Sequence, residues 1–263
     1  MDKFQLLSKI KNYRSRASFK LLQIDRKFNF LKFTYSIVDL CCAPGWLQIC
    51  RKKSHPDTLI LGIDIVKISF LHNIFFLKKN ILYNKTVDLI KMKFPFIFFE
   101  TVLHDGSPNL GTNKNLDYYN QNSLAFASLK YCVLLLSFTG NFVTKFFYSD
   151  YIYFFLYICK KIFSNIIIYK PASSRYSSSE VFIICISLRN IEFQYQHLKN
   201  FCYNKNKTKI EKYFYLTSKK ENFERKKFLI YILKKHYLNN LRMCISKSIS
   251  KKDLKNLKLI FFK

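Results

Sequence analysis

Negative charge is scarce in this chain: 16 Asp and Glu stand against 45 Lys and Arg, for a formal charge of +29 over 263 residues. That shortage favours a polyanionic partner, because each phosphate neutralised by a basic side chain releases condensed counterions. Nucleic acid is the leading candidate. A composition rich in Lys, Asn, Ile, Phe and Tyr is also what an AT-rich coding sequence produces, so charge alone assigns no function. The eight cysteines form no C-x-x-C element, so spacing signals neither a zinc site nor a redox dithiol. Reduced, mostly buried thiols in an intracellular protein are expected, and no metal. Residues 1–16 are polar and basic and lack the apolar segment of a secretory signal. No long apolar run is uninterrupted. The longest, 132–159, is broken by Lys145 and Asp150 and by Gly140 and Asn141, so it reads as helix, strand, helix and no membrane partner is expected. Internal repeats are absent too.

What is present suffices for a core, with 49% hydrophobic and 18% aromatic residues. The length allows one catalytic domain and a smaller appendage. Ala17, Leu21, Ile24 and Phe28 recur at three- and four-residue steps and predict a helix over 15–28, with Lys20 bordering its buried face. Short apolar runs at 37–41, 58–64, 73–77 and 100–104 predict strands. Helical spacing follows at 122–136, a strand at 141–147, a helix at 151–163, and two further strands at 165–169 and 181–187 around a polar loop. Strands alternating with helices imply an α/β layer architecture with a mainly parallel sheet, whose ligands sit beyond the carboxyl ends of the strands. From residue 189 the composition shifts to Lys- and Asn-rich segments, with an amphipathic stretch near 223–237. The expected division is therefore 1–188 as catalytic domain and 189–263 as a basic, helical extension.

Four features fall at or near predicted strand ends: Asp39-Leu40-Cys41-Cys42-Ala43-Pro44-Gly45-Trp46, then Asp64, then His104-Asp105-Gly106-Ser107-Pro108-Asn109, then Lys145. A strand ending in Ala-Pro-Gly lets the backbone approach a ligand closely, and an acid closing the next strand can bind ribose hydroxyls. A nucleoside-containing cofactor fits both.

The segments Tyr13-Arg14-Ser15-Arg16-Ala17-Ser18-Phe19-Lys20-Leu21, Asp39 to Trp46, Leu103 to Gly111, Phe142-Val143-Thr144-Lys145-Phe146-Phe147, and Lys170-Pro171-Ala172-Ser173-Ser174-Arg175 running to Ser179-Glu180-Val181-Phe182 resemble the FtsJ-type RNA 2′-O-ribose methyltransferases, in that family's order and across roughly residues 2–188. The wording from Leu103 to Thr112 is most similar to the eukaryotic branch that methylates precursor ribosomal RNA. A branch that modifies the tRNA anticodon loop is the second reading, and a catalytically degenerate RNA-binding ribosome-assembly factor the third. The resemblance implies a Rossmann-like class I methyltransferase fold with a seven-stranded sheet and S-adenosyl-L-methionine as cofactor. It also implies a catalytic set of Lys20, Asp105, Lys145 and Glu180. Donor contacts are expected from Asp39, Cys41, Ala43, Pro44, Gly45, Trp46, Asp64, Asn80 and Asp105, and RNA contacts from Arg14, Arg16 and Arg175. The partners implied are precursor rRNA and the pre-ribosomal particle, in the nucleus and nucleolus. The sequence departs from the family in two places. Pro44 and Trp46 enclose only Gly45, one residue fewer than usual, and Asn80 stands where an acid commonly lies near the adenine.

Overall fold

The computed structural model describes residues 2–95, 97–107 and 114–189. The basic C-terminal extension lies outside the described residues, as does the 108–112 part of the motif that begins at Leu103. The chain divides after Leu188 into two units, and the sheet belongs to the first.

Buried at all five positions, β1 (Ser36–Leu40) is the central strand that its unbroken apolar run predicts. Around it, β2 (Leu59–Asp64), β3 (Phe75–Lys78), β4 (Phe99–His104), β5 (Leu136–Phe147), β6 (Phe163–Tyr169) and β7 (Glu180–Leu188) form one sheet in the order β3-β2-β1-β4-β5-β7-β6. Strands β1 to β5 pair in parallel, and β7 runs antiparallel between β5 and β6. The strand order reverses between β1 and β4, so their carboxyl ends flank a crevice, the place where doubly wound sheets bind ligands. This is the expected Rossmann-like architecture.

Helices α2 (Ala17–Phe28) and α3 (Trp46–Lys53) pack on one face. There Leu21, Ile24, Leu47, Ile49 and Cys50 meet Ile37, Ile60, Leu103, Val143 and Phe182. Helix α5 (Lys114–Leu135) and α6 (Tyr151–Ile162) contribute Phe126 and Phe155 to a second aromatic cluster. The Phe155 ring centroid lies 5.1 Å from that of Phe126, edge to face, and 5.0 Å from that of Phe146 of β5, tilted. Two more helices, α1 (Lys3–Ile10) and α4 (Asn84–Lys93), complete the unit. Among the described residues no helix is long and apolar enough to cross a membrane. Cys41, Cys42, Cys50, Cys132, Cys159 and Cys185 are all free thiols.

Strand β5 begins at Leu136, five residues before the predicted start, because Gly140 serves as a bulge within the strand and not as a turn before it. A Cβ at Gly140 would lie 2.9 Å from the Glu100 carbonyl oxygen, and the β4–β5 register shifts there.

Candidate active site

Four charged side chains far apart in sequence meet at the carboxyl end of the sheet. Lys145 projects from β5 beside β7, Glu180 opens β7, Asp105 follows the last residue of β4, and Lys20 reaches in from α2. Lys20 Nζ donates to Glu180 Oε2 at 2.7 Å across 160 positions of sequence. Lys145 Nζ donates to the Asp105 carbonyl oxygen at 3.0 Å, and lies 3.2 Å from Asp105 Oδ1 and 3.9 Å from Glu180 Oε2. Asp105 Oδ1 also faces Lys20 Nζ at 3.9 Å, yet meets neither amine in hydrogen-bonding geometry. Two amines and two carboxylates thus form one largely buried, nearly neutral cluster, in which Lys145 and Glu180 are buried and Lys20 and Asp105 are partly exposed. Ser174 Oγ, which the sequence reading missed, donates to the other oxygen of Glu180 at 2.7 Å and fixes its rotamer. Gln23, also missed, accepts from both the amide and the hydroxyl of Ser173 and anchors the same loop.

The turn after β1 is drawn tight against the start of α2. Gly45 has φ +126°, and a Cβ there would sit 3.0 Å from Ser18 Oγ and 3.2 Å from Ser15 Cβ. Ser18 Oγ donates to the Gly45 carbonyl at 3.2 Å, and the Trp46 indole donates to the Ala17 carbonyl at 2.9 Å. The shortened turn therefore clamps the helix that carries Lys20. On its other side a cavity of about 200 Å3 is lined by Cys42, Ala43, Pro44, Gly45, Lys67 and Ser69, among others. Asp64 closes β2 and ties the two loops together: Oδ2 accepts the Ala43 amide at 2.9 Å and Oδ1 the Val66 amide at 2.8 Å. Asn80, just past β3, accepts the Leu82 amide at 2.9 Å with its side-chain oxygen.

Asp39 is fully buried in β1, and neither carboxylate oxygen has a hydrogen-bond partner. Burial, then the facing Asp105 and Asp64, push its carboxyl well above the ordinary range. Unsatisfied anionic capacity beneath an open turn suits a ligand that brings positive charge and ribose hydroxyls, as S-adenosylmethionine does with its sulfonium and ammonium. The donor set around the strand ends is chemically compatible with that group, with carboxylates at Asp39, Asp64 and Asp105 and a side-chain amide at Asn80. On the opposite face of the strand ends, His104 is buried. Its Nδ1 pairs with Thr144 Oγ1 at 2.8 Å, Nε2 has no partner, and burial followed by the Lys145 charge lowers its pKa to about 3.

A second cavity, of about 230 Å3, opens over the charged cluster and is lined by Arg16, Lys20, Arg175, Ser178 and Glu180. Arg16 pairs with Asp2 and donates to the Ser173 carbonyl at 2.7 Å. Its pKa is lowered by desolvation and by the nearby Arg175 charge. Arg14 is not in this group. Its guanidinium donates to the carbonyls of Ser69 at 2.9 Å and Phe70 at 2.7 Å beside the Gly45 turn, so its hydrogen bonds serve the donor-side loop.

This sheet order, with an acid closing β2 and a charged cluster beyond β4 and β5, defines a Rossmann-like methyltransferase domain. The chain belongs to the FtsJ-like methyltransferase family, which residues 13–188 match. It is 38% identical over 186 residues to the AdoMet-dependent rRNA methyltransferase spb1 of Neurospora crassa, covering 70% of this chain and 22% of that protein. The pre-rRNA 2′-O-ribose RNA methyltransferase of Dictyostelium discoideum is 37% identical over 191 residues, covering 72% and 23%. The chain thus spans less than a quarter of the length of these curated relatives. A ribosomal RNA methyltransferase structure from Plasmodium falciparum shares the fold. Its TM-score is 0.60 at 23% identity, over 67% of this chain and 98% of that one.

Proposed function

We propose that this chain methylates a ribose 2′-hydroxyl in RNA, with S-adenosylmethionine as donor, and that its substrate is large-subunit precursor rRNA within a pre-ribosomal particle in the nucleus and nucleolus. The observation that carries the reading is the convergence of Lys20, Asp105, Lys145 and Glu180 on one small volume beneath a basic cleft. A ribose hydroxyl is a weak nucleophile until its proton is being removed. Lys145, once it has released its own proton to solvent, takes that proton from the 2′-oxygen. The ammonium so formed is received by the Asp105 carbonyl and carboxylate and by Glu180, whose position Ser174 and Lys20 hold. The bound donor supplies a methyl on a sulfonium, which departs as a neutral thioether and needs no acid. Alignment of the 2′-oxygen supplies much of the remaining acceleration, an effect worth about 7 to 11 kcal/mol in well-oriented systems. Arg16 and Arg175, at the mouth of the cleft, bind the phosphates flanking the target. The rRNA part of the assignment follows the names of the curated relatives, an rRNA methyltransferase and a pre-rRNA 2′-O-ribose RNA methyltransferase.

The test is transfer of labelled methyl to pre-rRNA and to tRNA, followed by mapping of the modified riboses. Modification at a discrete rRNA ribose is the expected outcome. Modification of the tRNA anticodon loop alone would move the assignment to the tRNA branch, and donor binding without transfer to any RNA would remove it.

A further inference from the structure

The loop between β6 and β7 borders the acceptor cleft and is braced along its length. Ser174 N donates to the Pro171 carbonyl at 2.9 Å, Ser173 is held by Gln23 and by Arg16, and Ser178 Oγ accepts the Glu180 amide at 3.2 Å. At its tip Ser178 N donates to the Arg175 carbonyl at 3.1 Å, which closes a four-residue turn. Lys170 Nζ reaches across to the carbonyls of Tyr176 at 3.3 Å and Ser178 at 2.6 Å. The two end residues of this turn, Arg175 and Ser178, both line the cavity over Lys20 and Glu180. Between them stands Tyr176, whose side chain is fully exposed. Among the described residues the Arg175 guanidinium meets no carboxylate and is itself exposed.

A large aromatic ring held out in water on an otherwise fastened loop gains nothing from packing. An unpaired base gains from such a ring, because every base has a π-face and stacking is tolerant of sequence. A ribose that enters the cleft comes with neighbours on both sides, and the turn places an aromatic ring and a cation one residue apart at the point where one of those neighbours must emerge. We propose that Tyr176 is a stacking platform for an unpaired base adjacent to the target ribose, with Arg175 on the intervening phosphate, so that the site selects unstacked, single-stranded RNA over duplex. This rests on the reading of the cleft as an RNA acceptor site.

The test uses the full chain and a labelled single-stranded oligoribonucleotide containing the mapped target. Binding is followed by anisotropy, and methyl transfer is measured in parallel. Because the ring is fully exposed, Tyr176→Ala removes no packing, and Tyr176→Phe separates the ring from its hydroxyl. Tyr176→Ala is expected to weaken RNA binding and raise the RNA KM roughly tenfold, leaving kcat and donor affinity unchanged, while Tyr176→Phe behaves as wild type. An abasic residue moved through the flanking positions should abolish the difference between wild type and Tyr176→Ala at one position. The proposal is overturned if Tyr176→Ala binds every oligonucleotide as wild type does, if its defect persists on every abasic RNA, or if wild type binds no single-stranded RNA. Stacking without methyl transfer would leave the platform standing and remove the enzymatic reading. Transfer unaffected by Tyr176→Ala would do the reverse.

Discussion

Donor binding should release a proton, and Asp39 should be its source. In the donor-free protein this carboxyl is fully buried, has no hydrogen-bond partner, and faces Asp105 and Asp64, so it keeps its proton well above the ordinary carboxyl range. Its folded pKa is raised over the unfolded value. Its contribution to stability is therefore complete below about pH 4 and is lost as pH rises through the folded value. A ligand cation about 5 Å from a carboxylate is worth roughly 3 kcal/mol at an effective dielectric constant of about 20, equivalent to about two pH units. S-adenosylmethionine carries a sulfonium and an ammonium, offset in part by its own carboxylate, and this net positive charge favours the ionised form and drives off up to one proton per donor bound. Calorimetric titration in phosphate and in Tris, whose ionisation enthalpies differ widely, reads this directly. The observed enthalpy should vary with buffer ionisation enthalpy, with a non-zero slope in the sense of proton release. Asp39→Asn should bring that slope to zero and remove the corresponding loss of donor-free stability with rising pH. Equal enthalpies in both buffers, or an unchanged slope in Asp39→Asn, would refute the electrostatic reasoning.

Gly106→Ala should lower both stability and transfer, because its Cβ would lie 2.7 Å from His104 Nε2 and 2.8 Å from Cys41 Cβ, next to Asp105. A loss of about 1 to 3 kcal/mol in denaturant unfolding is expected, and an unchanged midpoint would show that the strand ends are more yielding than their packing implies. Arg175→Ala should weaken RNA binding about equally for all sequences and reduce the slope of log affinity against log salt by about one. A slope identical to wild type would take Arg175 off the phosphates.

Much of the fold was legible because its central strands β1, β2 and β4 are buried on both faces. The run Ile37-Val38-Asp39-Leu40 is apolar except for its acid, and all of it is buried in β1. Helices α1, α3 and α4 were not anticipated, and the signal was weak in the last two. They are short and rich in Lys, and the inward side of α4 is formed by Thr86, Val87 and Ile90, a weak apolar signal over ten residues. Gly140 was misread because a bulge and a turn have the same local composition, and only the approach of the Glu100 carbonyl distinguishes them. In the site, Lys20, Asp105, Lys145 and Glu180 could be named from motif order, whereas their convergence is a property of the sheet. Arg14 shows the limit of charge as a guide. It lies two residues from Arg16, yet its guanidinium serves the carbonyls of Ser69 and Phe70. Ser174 lay within a recognised segment and could have been marked as a carboxylate partner, while Gln23 carried no signal beyond being a polar residue on a helix.

The measurement closest to the chemistry is single-turnover methyl transfer to the mapped pre-rRNA ribose by wild type and Lys145→Met, with donor affinity and thermal melting recorded on the same preparations. Methionine keeps most of the buried length of Lys145 without its amine. Transfer should fall by roughly 10² to 10⁴ while the variant stays folded and binds donor. Transfer at the wild-type rate by a folded, donor-binding Lys145→Met would show that the proton of the ribose hydroxyl leaves by another route.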